Sequence, residues 1–155
     1  MGILNITPDS FSDGGKYYGG KAEIDKILFD AIKMQKDGAD FIDIGGESSR
    51  PGAEEVSLSE ELERVIPVIE KLRAEIDVPL SIDTYKSEVA EEALKAGAEI
   101  VNDISGFRFD DRIAEVTSKY NASCILMHIK GTPKDMQKNP VYENVVEEVY
   151  NYLEE

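Results

Sequence analysis

Val78-Pro79-Leu80-Ser81-Ile82-Asp83 is followed by an amphipathic stretch from Ser87 to Ala96, closed by Gly97, and then by Glu99-Ile100-Val101-Asn102-Asp103. The two outer runs are short, rich in β-branched residues and bounded by Pro, Gly or Asp, the pattern of buried strands. The unit therefore reads as strand, helix, strand. It recurs in both directions. Toward the N-terminus lie Phe41-Ile42-Asp43-Ile44 and Gly2-Ile3-Leu4-Asn5-Ile6, and toward the C-terminus Ser123-Cys124-Ile125-Leu126-Met127-His128. Helical periodicity fills the gaps. Ala22 to Asp37 carries Ile24, Ile27, Leu28, Ala31 and Ile32 on one side and is stopped by Gly38. A second helix starts at a capping box from Ser57 to Glu60 and lines up Leu58, Leu62, Val65, Ile66, Ile69 and Leu72, with Pro67 inside it predicting a kink. Asp110 to Tyr120 aligns Ile113, Val116 and Tyr120, and Tyr142, Val145, Val146, Val149, Tyr150 and Leu153 mark the last helix. Strict alternation with apolar strands predicts a parallel sheet covered by helices. An open doubly wound sheet and a (β/α)8 barrel both fit. Five units in 155 residues scale to about 250 residues for eight, the size of a full barrel.

Composition bounds the function. The 155 residues suit one domain, and 41% hydrophobic content excludes disorder by composition. A formal net charge of -15 argues against nucleic-acid or anionic-membrane partners, which need a basic face. A single cysteine forms neither an internal disulfide nor a Cys-based zinc site, so a reducing, cytoplasmic setting is expected, and Cys124 reads as an inert core thiol. No apolar run is long enough for a membrane span, and the first residues lack the charged and apolar regions of a signal peptide. Neither Gly-x-x-x-x-Gly-Lys-Ser/Thr nor Gly-x-Gly-x-x-Gly occurs.

Every predicted strand ends in a polar side chain: Asn5, Asp43, Asp83, Asn102 with Asp103, and His128. In parallel α/β folds ligands bind at that C-terminal edge. For any one strand the polar residue is as readily a helix cap; five together point to a site. His128, the sole histidine, reads as structural as readily as functional. The loop from Thr7 to Gly15 exceeds the usual two to six residues of such a connection. It carries Phe11, and the Gly-rich loop from Gly45 to Gly52 carries Arg50, which makes both candidate lids.

These stretches also carry a resemblance. Met1 to Gly15 resembles the first signature of the dihydropteroate synthases, and Asp43-Ile44-Gly45-Gly46-Glu47-Ser48-Ser49-Arg50-Pro51-Gly52-Ala53 resembles the second. Ser81-Ile82-Asp83-Thr84-Tyr85-Lys86, Val101-Asn102-Asp103-Ile104-Ser105-Gly106 and Leu126-Met127-His128-Ile129-Lys130-Gly131-Thr132-Pro133 are similar to the family's next three strand ends, in order. The resemblance implies a (β/α)8 TIM barrel, present here as about five units, so that residues 1–155 form the N-terminal part of one pterin-binding domain. It implies condensation of 6-hydroxymethyl-7,8-dihydropterin diphosphate with 4-aminobenzoate and release of diphosphate, in folate synthesis. By the same resemblance Asp83 and Asn102 hydrogen-bond the pterin, Ile104 and Met127 pack on its ring, and Asn5 binds Mg2+ near the diphosphate. Ser49, where the family usually has Thr, contacts substrate. Arg50 and Pro51 belong to the aminobenzoate site, and Phe11 and Asp13 to the first lid loop. Asp83, Asp13 and Arg50 are the catalytic candidates, with the fixed anion of Asp83 facing the cation that forms as diphosphate leaves.

The family's later motifs have no counterpart before Glu155. The expectation is an open sheet that needs its C-terminal remainder, or self-association, to close, and little activity from this chain alone. A pterin-binding domain of a corrinoid-dependent methyltransferase and a non-catalytic half-barrel are the competing readings.

Overall fold

The computed structural model describes residues 1–7, 21–48 and 55–154. Five strands alternate with five helices: β1 (Gly2–Asn5), α1 (Lys21–Lys36), β2 (Ile42–Gly45), α2 (Leu58–Arg73), β3 (Leu80–Asp83), α3 (Ser87–Ala96), β4 (Ile100–Asp103), α4 (Ile113–Lys119), β5 (Ser123–Leu126) and α5 (Val145–Glu154). The strands form one parallel sheet in the order β1-β2-β3-β4-β5. A doubly wound sheet reverses its strand order at a switch point, and this one does not. Crossovers of one hand that always step the same way put every helix on the same face. The structure is therefore an open section of a β/α barrel.

Side chains alternate across the strands, so register decides which of them share a face. Leu4, Ile44, Ile82 and Val101 align across β1 to β4 and are buried beneath the helices. They meet Ile27 and Ala31 of α1, Val65, Ile69 and Leu72 of α2, Val89, Ala90 and Ala93 of α3, and Ile113 of α4. Each fully buried aliphatic side chain contributes about 1.5–3 kcal/mol, and this layer is where the apolar burial is concentrated. The opposite face carries Ile3, Asp43, Ser81 and Ile100 in one row and Asn5, Gly45, Asp83 and Asn102 in the next. Ile3 is 52% exposed there, so the concave face of β1 is open to solvent.

The helix ends follow their sequence signals. Ser57 caps α2, its hydroxyl accepting from the Glu60 amide, and Gly97 ends α3 in the left-handed conformation at φ 116°. The kink expected at Pro67 does not divide α2, which runs unbroken from Leu58 to Arg73 with Val65, Val68, Ile69 and Leu72 buried on both sides of it. Two expectations need correction. Cys124 is exposed rather than a core thiol. The apolar residues of α5 form the predicted helix, yet none is buried, and Val146 is 75% exposed. The cause is shared: β5 is a sheet edge among the described residues, and α5 does not cover its outer face.

Gly46, just past β2, lets α2 approach closely. A Cβ there would lie 2.8 Å from Val65 Cγ1 and 3.0 Å from Glu61 Cγ. Gly46→Ala is expected to cost about 1–3 kcal/mol by overpacking. Urea denaturation should show a lower midpoint with an unchanged slope.

Candidate functional site

Asn5, Gly45, Asp83 and Asn102 occupy one register row at the C-terminal edge, on the concave face. A side chain on Gly45 would stand between two of them, its Cβ 3.4 Å from Asp83 Oδ2 and 3.7 Å from Asn5 Oδ1. One row deeper, Asp43 is buried, and its Oδ2 accepts from Asn102 Nδ2 at 3.1 Å. That bond leaves the Asn102 carbonyl oxygen and second N–H for another partner. Asp43 Oδ1 and its register neighbour Ser81 Oγ are buried with no hydrogen-bond partner among the described residues. A protein rarely leaves such atoms dry, which marks the floor of this face as a place for water or a polar ligand edge.

Burial, and then the charges of Asp43, Glu61, Asp103 and Glu47, push the Asp83 carboxyl from 3.8 up to about 7. At neutral pH Asp83 therefore shares its time between acid and anion. A carboxyl raised toward neutrality in this way is suited to exchange a proton near physiological pH.

The turn after β3 builds the adjoining wall. The Thr84 amide donates to the Asn102 carbonyl, extending the ladder, while its hydroxyl accepts from the Lys86 amide at 3.2 Å. Asp110 Oδ2 accepts from the Ser87 amide at 2.7 Å and so caps α3 from another loop. Tyr85 and Lys86 are thereby turned toward the connection after β2. Tyr85 donates its hydroxyl to Glu47 Oε1 at 2.8 Å, and Lys86 Nζ donates to Glu47 Oε2, Glu61 Oε2 and the Val56 carbonyl. Burial pulls the Lys86 ammonium down, but its hydrogen bonds to Glu47 and Glu61 outweigh this and hold it above its usual range. Burial, helped by the Glu47 carboxylate, pushes the Tyr85 hydroxyl up.

Asp103 shapes the connection after β4. Its carboxylate accepts from the Ser105 amide and hydroxyl and from the Phe107 amide, at 2.7, 3.0 and 2.8 Å. Gly106 and Phe107 both turn through positive φ there. The bend places Ile104 against a cavity of about 350 Å³, lined also by Asp83, Thr84, Tyr85, Glu47, Glu61, Phe109 and the Thr132-Pro133-Lys134 segment. That volume suits a small organic ligand.

The structure thus brings Asn5, Asp83 and Asn102 to one edge and sets Asp83 and Ile104 in the cavity wall. Met127 follows β5, is 38% exposed and does not line the cavity. His128 packs between Tyr152 and Tyr142, ring centroids 4.7 and 5.8 Å away, which favours its structural reading. Phe11, Asp13, Ser49, Arg50 and Pro51 lie outside the described residues. Sequence reasoning missed Glu47, Glu61, Tyr85 and Lys86 as site residues. Glu47 and Lys86 each sit within three positions of a strand end, a signal that could have found them. Glu61, in the first turn of a helix, reads in sequence as a solvated acid.

Among the described residues, no group of three or more His, Cys, Asp or Glu is arranged to hold a metal ion, and no helix is long and apolar enough to cross a membrane. A family model described as pterin binding enzyme matches residues 1–155. A dihydropteroate synthase from Synechocystis is 51% identical over 153 residues, which is 99% of this chain and 52% of that protein. A Clostridium difficile dihydropteroate synthase solved in the presence of pteroic acid superposes with a TM-score of 0.86 at 47% identity, covering 99% of this chain and 54% of that one. One from Xanthomonas albilineans with 4-aminobenzoic acid gives 0.84 at 43% identity, covering 98% and 52%. The chain spans about half the length of the curated relatives it matches.

A raised carboxyl pKa in the folded state means that the fold binds more protons than the unfolded chain between about pH 4 and 7, so stability falls as pH rises through that window. The displacement of Asp83 from 3.8 to about 7 corresponds to at most about 4 kcal/mol. Asp83→Asn is therefore expected to raise the Tm at pH 8, with the gain shrinking steadily toward pH 4. Thermal unfolding across that range checks it.

Proposed function

The chain belongs to the pterin-binding enzyme family, and from that membership we propose that it supplies the N-terminal part of a dihydropteroate synthase, which joins 6-hydroxymethyl-7,8-dihydropterin diphosphate to 4-aminobenzoate in folate synthesis, with little turnover from this half of the barrel alone. The observation that supports this most is the register row of Asn5, Asp83 and Asn102, with Asp83 raised to about 7 beside the cavity. A pterin edge carries fixed N–H donors and ring acceptors. A carboxylate and an amide on rigid neighbouring strands pair with such an edge in one orientation.

In the reaction the bond from the pterin methylene to the diphosphate oxygen breaks, and the diphosphate leaves with the electron pair. The aniline nitrogen of 4-aminobenzoate then forms the new C–N bond and gives up a proton. Positive charge builds on the methylene and spreads into the ring as the first bond lengthens. The ionised form of Asp83, paired with ring N–H groups, stabilises that charge. Asn102 holds the ring in plane, its amide steadied by Asp43. Ile104 covers one side of the ring and excludes water that would capture the cation. Phe11, Asp13, Ser49, Arg50, Pro51 and Met127 retain the roles that the resemblance assigns them, with Arg50 holding anionic substrate groups.

Mg2+ fits the chemistry at Asn5. The side chain ends β1 at the site edge, carries a hard amide oxygen, and faces the space that Gly45 leaves open. Magnesium takes few protein ligands beside substrate phosphate oxygens. Asn5 would hold it, and the ion, when bound, would neutralise charge on the departing diphosphate.

Two outcomes are expected. In the complete barrel, of which this chain spans about half, Asp83→Asn lowers kcat/KM by about 100-fold or more, roughly 3 kcal/mol of transition-state stabilisation, in a diphosphate-release assay with both substrates. The kcat/KM of the complete, unsubstituted barrel for the pterin substrate rises from pH 6 to 8 as Asp83 ionises, and levels above. Normal turnover by Asp83→Asn refutes the assigned role.

A further inference from the structure

Ile104 and Phe109, two walls of the cavity that Asp83 borders, both belong to the connection between β4 and α4. That connection turns at Gly106 and Phe107, with φ of 61° and 69°. Glycine adopts such an angle freely. A phenylalanine does not, and it persists there only where the surroundings enforce the bend.

Two sets of contacts enforce it. The first is internal. The Asp103 carboxylate holds Ser105 and Phe107, and Ser105 Oγ accepts from the Arg108 and Phe109 amides at 3.2 Å each. The second comes from α5. Tyr152 donates its hydroxyl to the Ser105 carbonyl at 2.6 Å, just before the bend. Just after it, Arg108 donates to the Tyr152 carbonyl at 2.9 Å and lays its guanidinium over the ring, 3.8 Å from the centroid. Between these points the ring lies against Gly106, where a Cβ would come within 2.9 Å of Tyr152 Cε1. One tyrosine therefore grips the turn before, at and after its tightest point. His128 braces the far side of that ring.

Apolar burial does not account for this arrangement. No residue of α5 is buried, and Tyr152 does not line the cavity. The helix is instead tied to two connections: to the one after β4 through Tyr152, and to the one after β5 through Glu148, whose Oε2 accepts from Lys130 Nζ at 2.6 Å. The same two connections bring Ile104, Phe109 and the Thr132-Pro133-Lys134 segment to the cavity.

We propose that Tyr152 is a positioning residue for the ligand cavity: through the Ser105 carbonyl and the Arg108 side chain it clamps the Gly106–Phe107 bend, and so fixes Ile104 and Phe109 in the wall they share with Asp83. The inference rests on the reading of that cavity as the pterin site and deepens it. A helix that touches no ligand decides where one wall of the slot stands. The wall makes no bond to a reacting atom, so its displacement weakens ground state and transition state alike.

The test uses the complete barrel, of which this chain spans about half. Tyr152→Phe removes the hydroxyl bond and keeps the ring against Gly106. Tyr150→Phe is the matched control on the same helix, since its hydroxyl meets only the exposed Glu154. Tyr152→Phe is expected to raise the KM for the pterin substrate, and its Kd by calorimetric titration without 4-aminobenzoate, about fivefold, the size of one lost hydrogen bond. The kcat is expected to stay within about twofold, the mark of uniform binding. Tyr150→Phe should change neither. A purely structural role reads differently: fewer folded molecules lower kcat and leave KM where it was. That result overturns the proposal, as does an unchanged pterin affinity or an equal effect of Tyr150→Phe. If Tyr152→Phe does not fold, Arg108→Gln decides, because it removes the stack and the bond to the Tyr152 carbonyl. It must raise the pterin KM with kcat preserved, and any other outcome overturns the proposal. Failure of the synthase reading shows separately, as an unsubstituted barrel that binds no pterin, and it takes this proposal with it.

Discussion

Parallel pairing in register is the constraint on which the rest of this structure depends. Leu4, Ile44, Ile82 and Val101 share a row because their strands align, and that row lies beneath the helices. The next residue on each strand, Asn5, Gly45, Asp83 and Asn102, must then point to the other face, since the side-chain period of a strand is two. A slip of one residue in any strand would bury a carboxyl or amide under the helices and expose an aliphatic side chain. The apolar layer and the polar edge are two consequences of one alignment. Burial of the first therefore supplies the free energy that holds the second in place.

That alignment carries an electrostatic cost. Asp43, Glu47, Glu61, Asp83 and Asp103 stand close enough to influence one another, with Asp83 raised to about 7 as a result. Lys86 offsets part of the cost by pairing with two of the five, and Asp103 spends its oxygens on backbone and hydroxyl donors of its own turn. Asp43 keeps one oxygen without a described partner. A fold optimised for stability alone would not assemble this group. Concentrated strain of this kind is typical of sites that must bind or stabilise charge.

Much of this was legible in the chain. Short β-branched runs ending in Asn5, Asp83 and Asn102 identified their strands, because a strand's apolar pattern and its polar stop are local properties; the stop expected at Asp43 was misplaced, since β2 runs on to Gly45 and Asp43 lies one row below the edge. Helix periodicity located all five helices for the same reason. Burial was less legible wherever it depends on a neighbour. Cys124 and the apolar residues of α5 look like core in sequence, yet they are exposed, because whether an apolar face is covered depends on which element packs against it. Nor does sequence alternation distinguish a doubly wound sheet from a barrel; the unreversed strand order does.

The sequence by itself determined the elements, the polar edge and, through the resemblance at five strand ends, the family. Only the tertiary structure decided that Glu61 and Glu47 meet Lys86, that Asn102 leans on Asp43, and that Asp83 lies where a proton is held near neutrality. Residue type and spacing encode which face a side chain occupies. The proton affinity and partners of a charged group depend on every charge and every bit of desolvation around it, and those come from parts of the chain that are distant until it folds.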